Sequence, residues 1–396
     1  MRLPILPITI IILVNLLIDG YILYVIRRNF HKKWCTVAYG AGIIFFIIYA
    51  IVMVALPRRS GSDSTLLVDM WMLYAYFSVY IPKYIFCIFS WIGLIPTLWK
   101  ARHWKSLDIA GTVVAVIAFF VMWWAAVVNR FDYQVKEVDL YFPDLPEEFE
   151  GYRIVQFSDF HTGTYGNDTS YVSKIVDVIN AQNADVIFFT GDIVNRHSRE
   201  LLPFVDNFSR LHAPDGVISI LGNHDYGDYR KWKSTEAKEK NMELMNSLHD
   251  KMGWDLLNNR TVFLHQGGDS IAVIGVENWG DPPFTTYGDL DMAYPAQSDS
   301  VFKILLTHNP AHWIADIADR DSVNIPLSLS GHTHAMQCQI GSWSPAKYRY
   351  STWGGLYFDK SGKHQLYVNI GIGTVALPAR IGATPEITVF TLHKTQ

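Results

Sequence analysis

Four long apolar stretches fill the first third of the chain, and they constrain its fold more than any other feature. They span about Leu3–Ile26, Trp34–Leu56, Leu66–Trp99 and Leu107–Val128. A transmembrane helix needs about 20 apolar residues to cross the hydrocarbon core of a bilayer. Half of the 396 residues are hydrophobic and only 18% are charged, and most of that excess precedes Asn129. The sequence therefore predicts an all-α region of four transmembrane helices over residues 1–130.

Basic residues in the connections between the stretches predict how these helices are oriented. The first connection carries four of them and the third carries three: Arg27, Arg28, Lys32, Lys33, Lys100, Arg102 and Lys105. The second connection has only Arg58 and Arg59, offset by Asp63. Connections rich in lysine and arginine stay in the cytoplasm. With four spans, the N-terminus and everything after residue 130 should therefore lie outside the cytoplasm.

The first stretch has a competing interpretation as a cleaved signal peptide, but its apolar run is too long and basic residues follow it. Lys83 interrupts the third stretch, and an ionisable residue within a span is a candidate for function. The alternative, which we favour, is that its long side chain extends to the membrane interface. No paired polar residues stand out within the stretches, which disfavours transport through the four helices. The helices are therefore interpreted as an anchor in the lipid bilayer.

From Tyr133 onward the chain has the pattern of a globular α/β domain. Short apolar runs rich in β-branched residues recur, each followed by polar residues: RIVQFSDFH, ADVIFFTGD, VISILGNHD, IAVIGVEN, FKILLTHNP and PLSLSGHTH. Each run predicts a strand that is buried on both faces. Between the first two runs, apolar residues recur at helical spacing from Val172 to Ile179. We assign residues 131–150 to a linker with one strand and residues 151–396 to the domain proper.

Polar residues that can bind metal ions or transfer protons fall at the ends of these strands. They are Asp159, His161, Asp192, Asn223, His224, Asp225, His308, His332 and His334. In open α/β sheets, sites form outside the carboxyl ends of the strands, so we expect these side chains to converge. Any one of the histidines could be a packed core residue, but that explanation is weak for the whole set.

The residue types indicate a metal centre. Carboxylate, imidazole and amide ligands suit divalent ions such as Mn²⁺, Fe²⁺ or Zn²⁺. All of these residues except His224 and Asp225 are candidate ligands, and that number is too high for one ion. Two ions that share one bridging carboxylate would activate a water molecule for attack on a phosphoryl group and offset its charge. His224 could then protonate the leaving group, with Asp225 orienting its imidazole.

The motifs SDFH, GDIVN, GNHD, THNP and GHTH, in this order, resemble those of the calcineurin-like metallophosphoesterase family. The similarity covers roughly residues 150–396, and GNHD followed by GHTH is its most specific part. The resemblance implies a four-layer αββα sandwich, here preceded by the four-helix transmembrane region. The segments LPEEFEGYRIVQFSDFHTG and ARIGATPEI are similar to a branch of bacterial phosphoesterases that are exported or attached to the membrane, which would place this protein in the bacterial cytoplasmic membrane.

The resemblance also implies a role for each residue. The first ion would be bound by Asp159, His161, Asp192 and His334, and the second by Asp192, Asn223, His308 and His332, with Asp192 bridging. His224, supported by Asp225, would contact the substrate phosphate or act as the acid. The second motif often reads GDxxD in the family, whereas Asn195 stands at its last position here. That carboxylate is not usually a metal ligand, so the site should survive.

The substrate is less constrained than the reaction. Arg380 is a candidate donor to the substrate phosphate, because a guanidinium can bind it through two hydrogen bonds; an ion pair with Glu386 is the alternative. The anchor favours a phosphomonoester or phosphodiester that is membrane-associated or lipid-linked. A net charge of −4 gives no reason to expect a nucleic-acid partner. A non-catalytic, metal-dependent binding or sensing module is the alternative function, which the complete ligand set disfavours.

Overall fold

The structure is a computed structural model that describes residues 5–57, 60–282, 284–294, 301–320 and 323–395. Leu3, the predicted start of the first apolar stretch, lies outside these ranges, as do Arg58 and Arg59. The chain divides into two compact units, residues 1–127 and residues 128–396. Each unit has its own secondary structure and its own core.

The first unit consists of long helices. They are α1 (Ile5–Asn29), α2 (Lys33–Ala55), α3 (Asp63–Leu94) and α4 (Lys105–Val127). Helix α3 begins after Ser62, whose side chain accepts a hydrogen bond from the backbone N–H of Thr65, and a short 3₁₀ turn (Ile95–Trp99) follows it. By length and composition, all four helices can cross a membrane. The predicted all-α region of four transmembrane helices is confirmed.

A buried carboxylate connects three of these helices. Asp19 of α1 accepts hydrogen bonds from Tyr39 of α2 at 2.8 Å and from Tyr80 of α3 at 2.9 Å. Its third partner is the ammonium group of Lys83 on α3, 2.7 Å away. Lys83 therefore does not extend to the interface as predicted, because the buried carboxylate draws it into the helix bundle. The expectation that the apolar stretches lack paired polar residues is wrong.

The second unit alternates strands and helices along the chain. Its elements are β1 (Gln134–Phe142), β2 (Arg153–Phe157), α5 (Ser170–Asn180), β3 (Val186–Phe189), α6 (Val205–Phe208), β4 (Val217–Ser219), α7 (Thr235–Met252), β5 (Trp254–Leu256), β6 (Arg260–Gln266), β7 (Asp269–Gly275), α8 (Leu290–Ala293), β8 (Lys303–Leu306), α9 (Ala311–Asp316), β9 (Leu327–Ser330), β10 (Gly355–Phe358), β11 (Gln365–Val368) and β12 (Glu386–Lys394). The predicted helix between the first two apolar runs is α5, and its apolar side chains at helical spacing from Val172 to Ile179 are buried.

The strands form two mixed sheets. The order in the first is β1-β12-β2-β3-β4-β5, and in the second it is β10-β11-β9-β8-β7-β6. Strands β2, β3 and β4 are parallel to one another, as are β8, β9 and β11. Parallel strands bring the residues that follow them to one edge of their sheet.

The two sheets face each other, and helices cover their outer faces. Successive side chains of a strand point to opposite faces. Ile154 and Val186 therefore join the core between the sheets, while Val155 and Ile187 join the core beneath α5. On the other side, Trp313 of α9 packs against the second sheet. The predicted four-layer αββα sandwich is confirmed.

Residues 131–150, the predicted linker with one strand, include strand β1 of the first sheet. Strand β1 pairs in parallel with β12 along its whole length, from Gln134 with Glu386 to Phe142 with Lys394. Leu140 and Phe142 are buried in the core between the sheets. Residues 134–142 therefore contribute an edge strand and core side chains to the second unit.

Candidate metal centre

The seven candidate ligands follow five strands, three from the first sheet and two from the second. Asp159 and His161 follow β2, Asp192 follows β3, Asn223 follows β4, His308 follows β8, and His332 and His334 follow β9. The structure brings all seven together at the facing edges of the two sheets. They form two adjoining groups.

The first group consists of Asp159, His161 and His334, whose ligand atoms lie within 4.8 Å of one another. The Nε2 atoms of His161 and His334 are 3.1 Å apart. Nε2 of His334 also lies 3.2 Å from Oδ1 of Asp159. All three side chains are buried, so their polar atoms have little access to bulk water.

The second group consists of Asp192, His308 and His332, together with Asn223. Oδ1 of Asn223 lies 2.8 Å from Nδ1 of His332 and 3.2 Å from Nε2 of His308. The other ring nitrogen of His308, Nδ1, lies 2.7 Å from the carbonyl oxygen of Thr190. That contact places a proton on Nδ1, so a neutral His308 directs its Nε2 lone pair toward Asp192 and Asn223.

Asp192 lies between the two groups. Its Oδ2 atom is 3.2 Å from Nε2 of His308 in the second group and 3.6 Å from Nε2 of His161 in the first. Its Oδ1 atom accepts a hydrogen bond from the backbone N–H of His224 at 2.8 Å. A carboxylate in this position could be shared by two cations.

Sharp turns after the strands direct these side chains into the site. Five of the candidate ligands have φ angles between 50° and 75°: Asp159, His161, Asp192, His332 and His334. This left-handed conformation is rare outside glycine and costs roughly 1–3 kcal/mol at each position. The motif glycines leave room for the turns. A Cβ atom at Gly222 would lie 2.2 Å from Oδ1 of Asp192, and one at Gly331 would lie 2.3 Å from Oδ2 of Asp159.

Burial and facing charges set the protonation states of the site. Burial opposes charge on Asp159 and Asp192, but the facing histidines outweigh it and hold the pKa of both carboxyls below its ordinary value. Burial lowers the pKa of His332 to about 3. Burial also disfavours a charged His308, yet the Asp192 carboxylate raises the pKa of this imidazole to about 9. A cation must displace the His308 proton, so we expect metal affinity to fall in acid.

The donor set fits two divalent cations. Four imidazoles, two carboxylates and one amide oxygen are the ligands that first-row ions such as Mn²⁺, Fe²⁺ and Zn²⁺ accept. The Nε2 atoms of His161 and His334 are buried and lie 3.1 Å apart, and a cation held by both residues would satisfy them. The residues present can therefore hold the metals that the sequence predicts.

His224 lies beside both groups, with one ring nitrogen already bonded. Its Nδ1 atom is 2.6 Å from the carbonyl oxygen of Asn195, to which it donates. The ring meets that of His161 edge-on, with 4.9 Å between centroids, and stacks on Tyr229 at 4.3 Å. Nε2 is therefore the atom left to accept or release a proton.

Asp225 does not support the His224 ring in the way that the sequence predicted. Its carboxylate accepts four hydrogen bonds from backbone N–H groups, those of Gly222 at 2.8 Å, Asp192 at 2.9 Å, Ile193 at 2.9 Å and Val194 at 3.2 Å. The buried amides of these tight turns need an acceptor, and Asp225 supplies it. Asp225 therefore ties the turn after β3 to the turn after β4, and the Asn195 carbonyl holds the His224 ring.

Arg380 is fully buried behind the site. Its guanidinium donates to three carbonyl oxygens, those of Gly373 at 2.8 Å, Ile370 at 2.9 Å and Ala383 at 3.1 Å. One of its nitrogens, Nη2, also lies 3.2 Å from Nδ1 of His334. Glu386, the alternative ion-pair partner, pairs with Lys136 instead. This arrangement contradicts the expected contact with substrate phosphate, because protein acceptors already engage the guanidinium, and it makes Arg380 a support for His334.

Sequence reasoning missed two tyrosines and a glutamate at the site. The hydroxyl of Tyr229 accepts a hydrogen bond from Nδ2 of Asn223 at 2.8 Å, which turns Oδ1 toward the histidines. The hydroxyl of Tyr350 lies 3.1 Å from Nε2 of His332. Glu200 accepts a hydrogen bond from the backbone N–H of Asn195 at 2.6 Å. The position of Tyr229, shortly after GNHD, was a usable signal, whereas Tyr350 and Glu200 belong to no motif.

Two family models match the chain. Residues 152–336 match "Calcineurin-like phosphoesterase". Residues 1–130 match "Probable Calcineurin-like phosphoesterase, transmembrane domain". The first match lies within the second unit of the structure, and the second match spans the first unit.

Three relatives illustrate the range of similar proteins. "Uncharacterized metallophosphoesterase YkuE" of Bacillus subtilis is 33% identical over 262 residues, which cover 63% of this chain and 82% of the relative. "Transmembrane protein with metallophosphoesterase domain" of Danio rerio is 30% identical over 294 residues, covering 72% of this chain and 63% of the relative. "UDP-2,3-diacylglucosamine pyrophosphatase LpxG" of Chlamydia trachomatis is 24% identical over 325 residues, covering 68% and 92%.

Proposed function

Because the chain belongs to the calcineurin-like phosphoesterase family, we propose that it hydrolyses a phosphoric ester at a centre of two divalent cations. The position of Asp192 carries this proposal. Its Oδ2 atom lies within 3.6 Å of a ring nitrogen from each of the two groups, so one carboxylate can serve both cations. With Asp192, one cation would be held by Asp159, His161 and His334, and the other by Asn223, His308 and His332.

The residues around the cations supply the rest of the chemistry. Two such cations, when bound, supply activated water and offset the negative charge of the phosphoryl group. The chain provides the proton for the leaving group. Since Nδ1 of His224 donates to the Asn195 carbonyl, Nε2 delivers that proton to the departing oxygen. Tyr229, stacked on the ring, and the Asn195 carbonyl, which accepts from Nδ1, keep the His224 ring in place.

We propose a membrane-associated or lipid-linked phosphomonoester or phosphodiester as the substrate class. The match of residues 1–130 to a transmembrane domain of phosphoesterases supports this, because the helices hold the second unit close to a bilayer. One relative is named as a pyrophosphatase of UDP-2,3-diacylglucosamine, a compound with two acyl groups. Relatives from bacteria support placement in the bacterial cytoplasmic membrane.

Activity of the purified full-length protein, reconstituted with one metal at a time, tests the proposal. We expect turnover of bis-p-nitrophenyl phosphate or p-nitrophenyl phosphate only after loading with Mn²⁺, Fe²⁺ or Zn²⁺. Asp192→Ala should lose both bound metal and turnover, because it removes the shared ligand. His224→Ala should keep the metal and lose turnover of an ester with a poor leaving group, such as phenyl phosphate, by about 100-fold or more, and lose less with the p-nitrophenyl esters.

The exposed residue His265 provides a matched control, since it lies on β6 outside the site. His265→Ala should leave metal content and turnover unchanged. Full turnover of the phenyl ester by His224→Ala would contradict the assignment of His224 as the acid. A wild-type protein that binds metal but hydrolyses neither ester would contradict the hydrolase proposal and favour a binding module.

A further inference from the structure

The segment between β9 and β10 borders the candidate metal centre. We call residues 336–350 of this segment the border loop. The loop starts two residues after His334, a ligand candidate of the first group. It ends at Tyr350, whose hydroxyl lies 3.1 Å from Nε2 of His332 in the second group. Both ends of the border loop are therefore tied to the site.

The border loop exposes large apolar side chains. The exposed fractions are 45% for Met336, 68% for Ile340, 38% for Trp343 and 78% for Tyr348. Single exposed apolar residues are normal on protein surfaces. Several within one short loop beside a functional site indicate a surface that binds an apolar partner.

Polar contacts hold the backbone that presents these side chains. Ile340 and Trp343 exchange backbone hydrogen bonds of 2.8 and 3.1 Å, which form a tight turn. The backbone N–H of Gln339 donates to the carbonyl oxygen of Ile381 at 2.8 Å. Ser344 is fully buried and donates to the carbonyl oxygen of Ala335 at 2.7 Å. The apolar surface is therefore preorganised, which lowers the entropic cost of binding.

The charge of the border loop is positive. The sequence from Met336 to Tyr350 contains no aspartate or glutamate. Lys347 lies over the ring of Tyr348 at 5.2 Å. Arg349 lies over the ring of Tyr350 at 5.2 Å and forms an ion pair with Asp281, which lies outside the loop. Aromatic and aliphatic side chains beside a lysine are typical of surfaces that bind anionic amphiphiles.

We propose that the border loop binds the hydrocarbon part of the substrate, a phosphoester with a long apolar chain whose phosphoryl group lies at the metal centre. This inference rests on the proposed function and specifies its substrate class. Lipid is the occupant, because the transmembrane helices keep the domain at a high local concentration of bilayer components. Lys347 adds attraction for the anionic head group of such a substrate.

Two synthetic phosphodiesters with the same leaving group test this inference. They are the p-nitrophenyl esters of dibutyryl and dioctanoyl phosphatidic acid, assayed with the metal-loaded full-length protein in lipid nanodiscs. We expect the wild type to prefer the dioctanoyl ester by about tenfold or more in kcat/KM, chiefly through KM, because its added methylenes become buried. In the variant Ile340→Ser/Trp343→Ser/Tyr348→Ser this ratio should fall to about one.

Phe358→Ser is the matched control, because Phe358 is 57% exposed on β10 and lies outside the border loop. It should keep the wild-type ratio. The melting temperature and metal content of both variants show that the fold and the site are intact. The inference is supported only if the ratio falls in the triple variant alone.

The outcomes separate the two proposals. If the wild type hydrolyses bis-p-nitrophenyl phosphate but treats the two phosphatidyl esters alike or cleaves neither, the border loop does not bind lipid and the hydrolase proposal stands. A chain-length preference that persists in the triple variant also overturns the inference. If the wild type hydrolyses no phosphoester, the proposed function is wrong, and the inference that rests on it is wrong as well.

Discussion

His224 is positioned through contacts that end at a buried carboxylate. The carbonyl oxygen of Asn195 lies 2.6 Å from its Nδ1 atom, and the backbone N–H of Asn195 donates to Oε2 of Glu200 at 2.6 Å. The next amide, that of Arg196, lies 3.3 Å from the same oxygen. Glu200 is only 5% exposed. Asn195 stands where the family often has a second aspartate. Here its main chain contacts both His224 and Glu200, and the carboxylate near this position belongs to Glu200.

We predict that Glu200→Ala slows the hydrolysis of esters with poor leaving groups by about 10- to 100-fold, because the His224 ring loses its orientation. Esters of p-nitrophenol should lose less, since this leaving group needs little protonation. Glu200→Gln keeps an acceptor oxygen and should recover most of the rate. The measurement is kcat for a series of phosphodiesters of rising leaving-group pKa. An equal loss across the series, or a loss of bound metal, would contradict a positioning role.

His249 predicts a pH dependence of stability that is separate from the metal centre. Its Nδ1 atom donates to the carbonyl oxygen of Met245 at 3.0 Å, and its ring meets Trp254 at 5.8 Å. Burial lowers the pKa of His249 to about 4. An unfolded histidine titrates near pH 6.5, so the unfolded state binds the proton more strongly. This contribution to stability is complete above pH 6.5 and is lost as the pH falls toward 4, by roughly 3 kcal/mol.

His249→Phe should flatten that profile, because phenylalanine fills the apolar site without titrating. The measurement is the melting temperature of the full-length protein between pH 7 and pH 5. His312, whose pKa burial also lowers to about 4, contributes equally to both proteins and serves as the internal reference. A wild-type profile no steeper than that of the variant would show that His249 does not contribute.

At the scale of elements, two buried carboxylates tie the transmembrane helices together. Asp19 of α1 has partners on α2 and α3. Asp108 of α4 accepts hydrogen bonds from Arg28 of α1 at 2.8 Å and from Ser90 of α3 at 2.5 Å. Polar contacts of this kind specify which helices meet, because apolar side chains pack as well against lipid as against one another.

We predict that Asp19→Ala destabilises the first unit by about 3–5 kcal/mol, because it leaves the Lys83 ammonium without its carboxylate. The double variant Asp19→Ala/Lys83→Ala removes the uncompensated charge and should recover part of that loss. Thermal denaturation in detergent, followed by size-exclusion chromatography, measures both. The pair would have no such role if the single variant melted at the wild-type temperature, or if the double variant were less stable than the single one.

At the scale of the whole molecule, the orientation in the membrane decides which phosphoesters can reach the site. We propose that the second unit lies outside the cytoplasm, on the basis of the basic residues in the first and third connections. Alkaline phosphatase fused after Gln396 should therefore be active, and green fluorescent protein fused there should be dark. Fusions after Arg102, in the third connection, are the matched control and should give the opposite pattern. A fluorescent C-terminal fusion with an inactive phosphatase would reverse the orientation.

The sequence alone determined the elements and the residue types of the site. Helix and strand signals are local, because apolar length and periodicity within one segment decide whether it spans a membrane, forms a helix such as α5 or forms a buried strand such as β3. The ligand candidates could be identified for the same reason, since each stands directly after a predicted strand. The family motifs then supplied the αββα arrangement that joins the strands.

Only the tertiary structure decided which side chains meet. The chain order says nothing about the direction in which a side chain leaves a tight turn, so Asp225 turned out to bind four backbone amides and Arg380 to lie behind His334. The partnership of Lys83 with Asp19 joins residues 64 positions apart. Such contacts depend on how packed elements approach one another, and no local pattern in the chain records that approach.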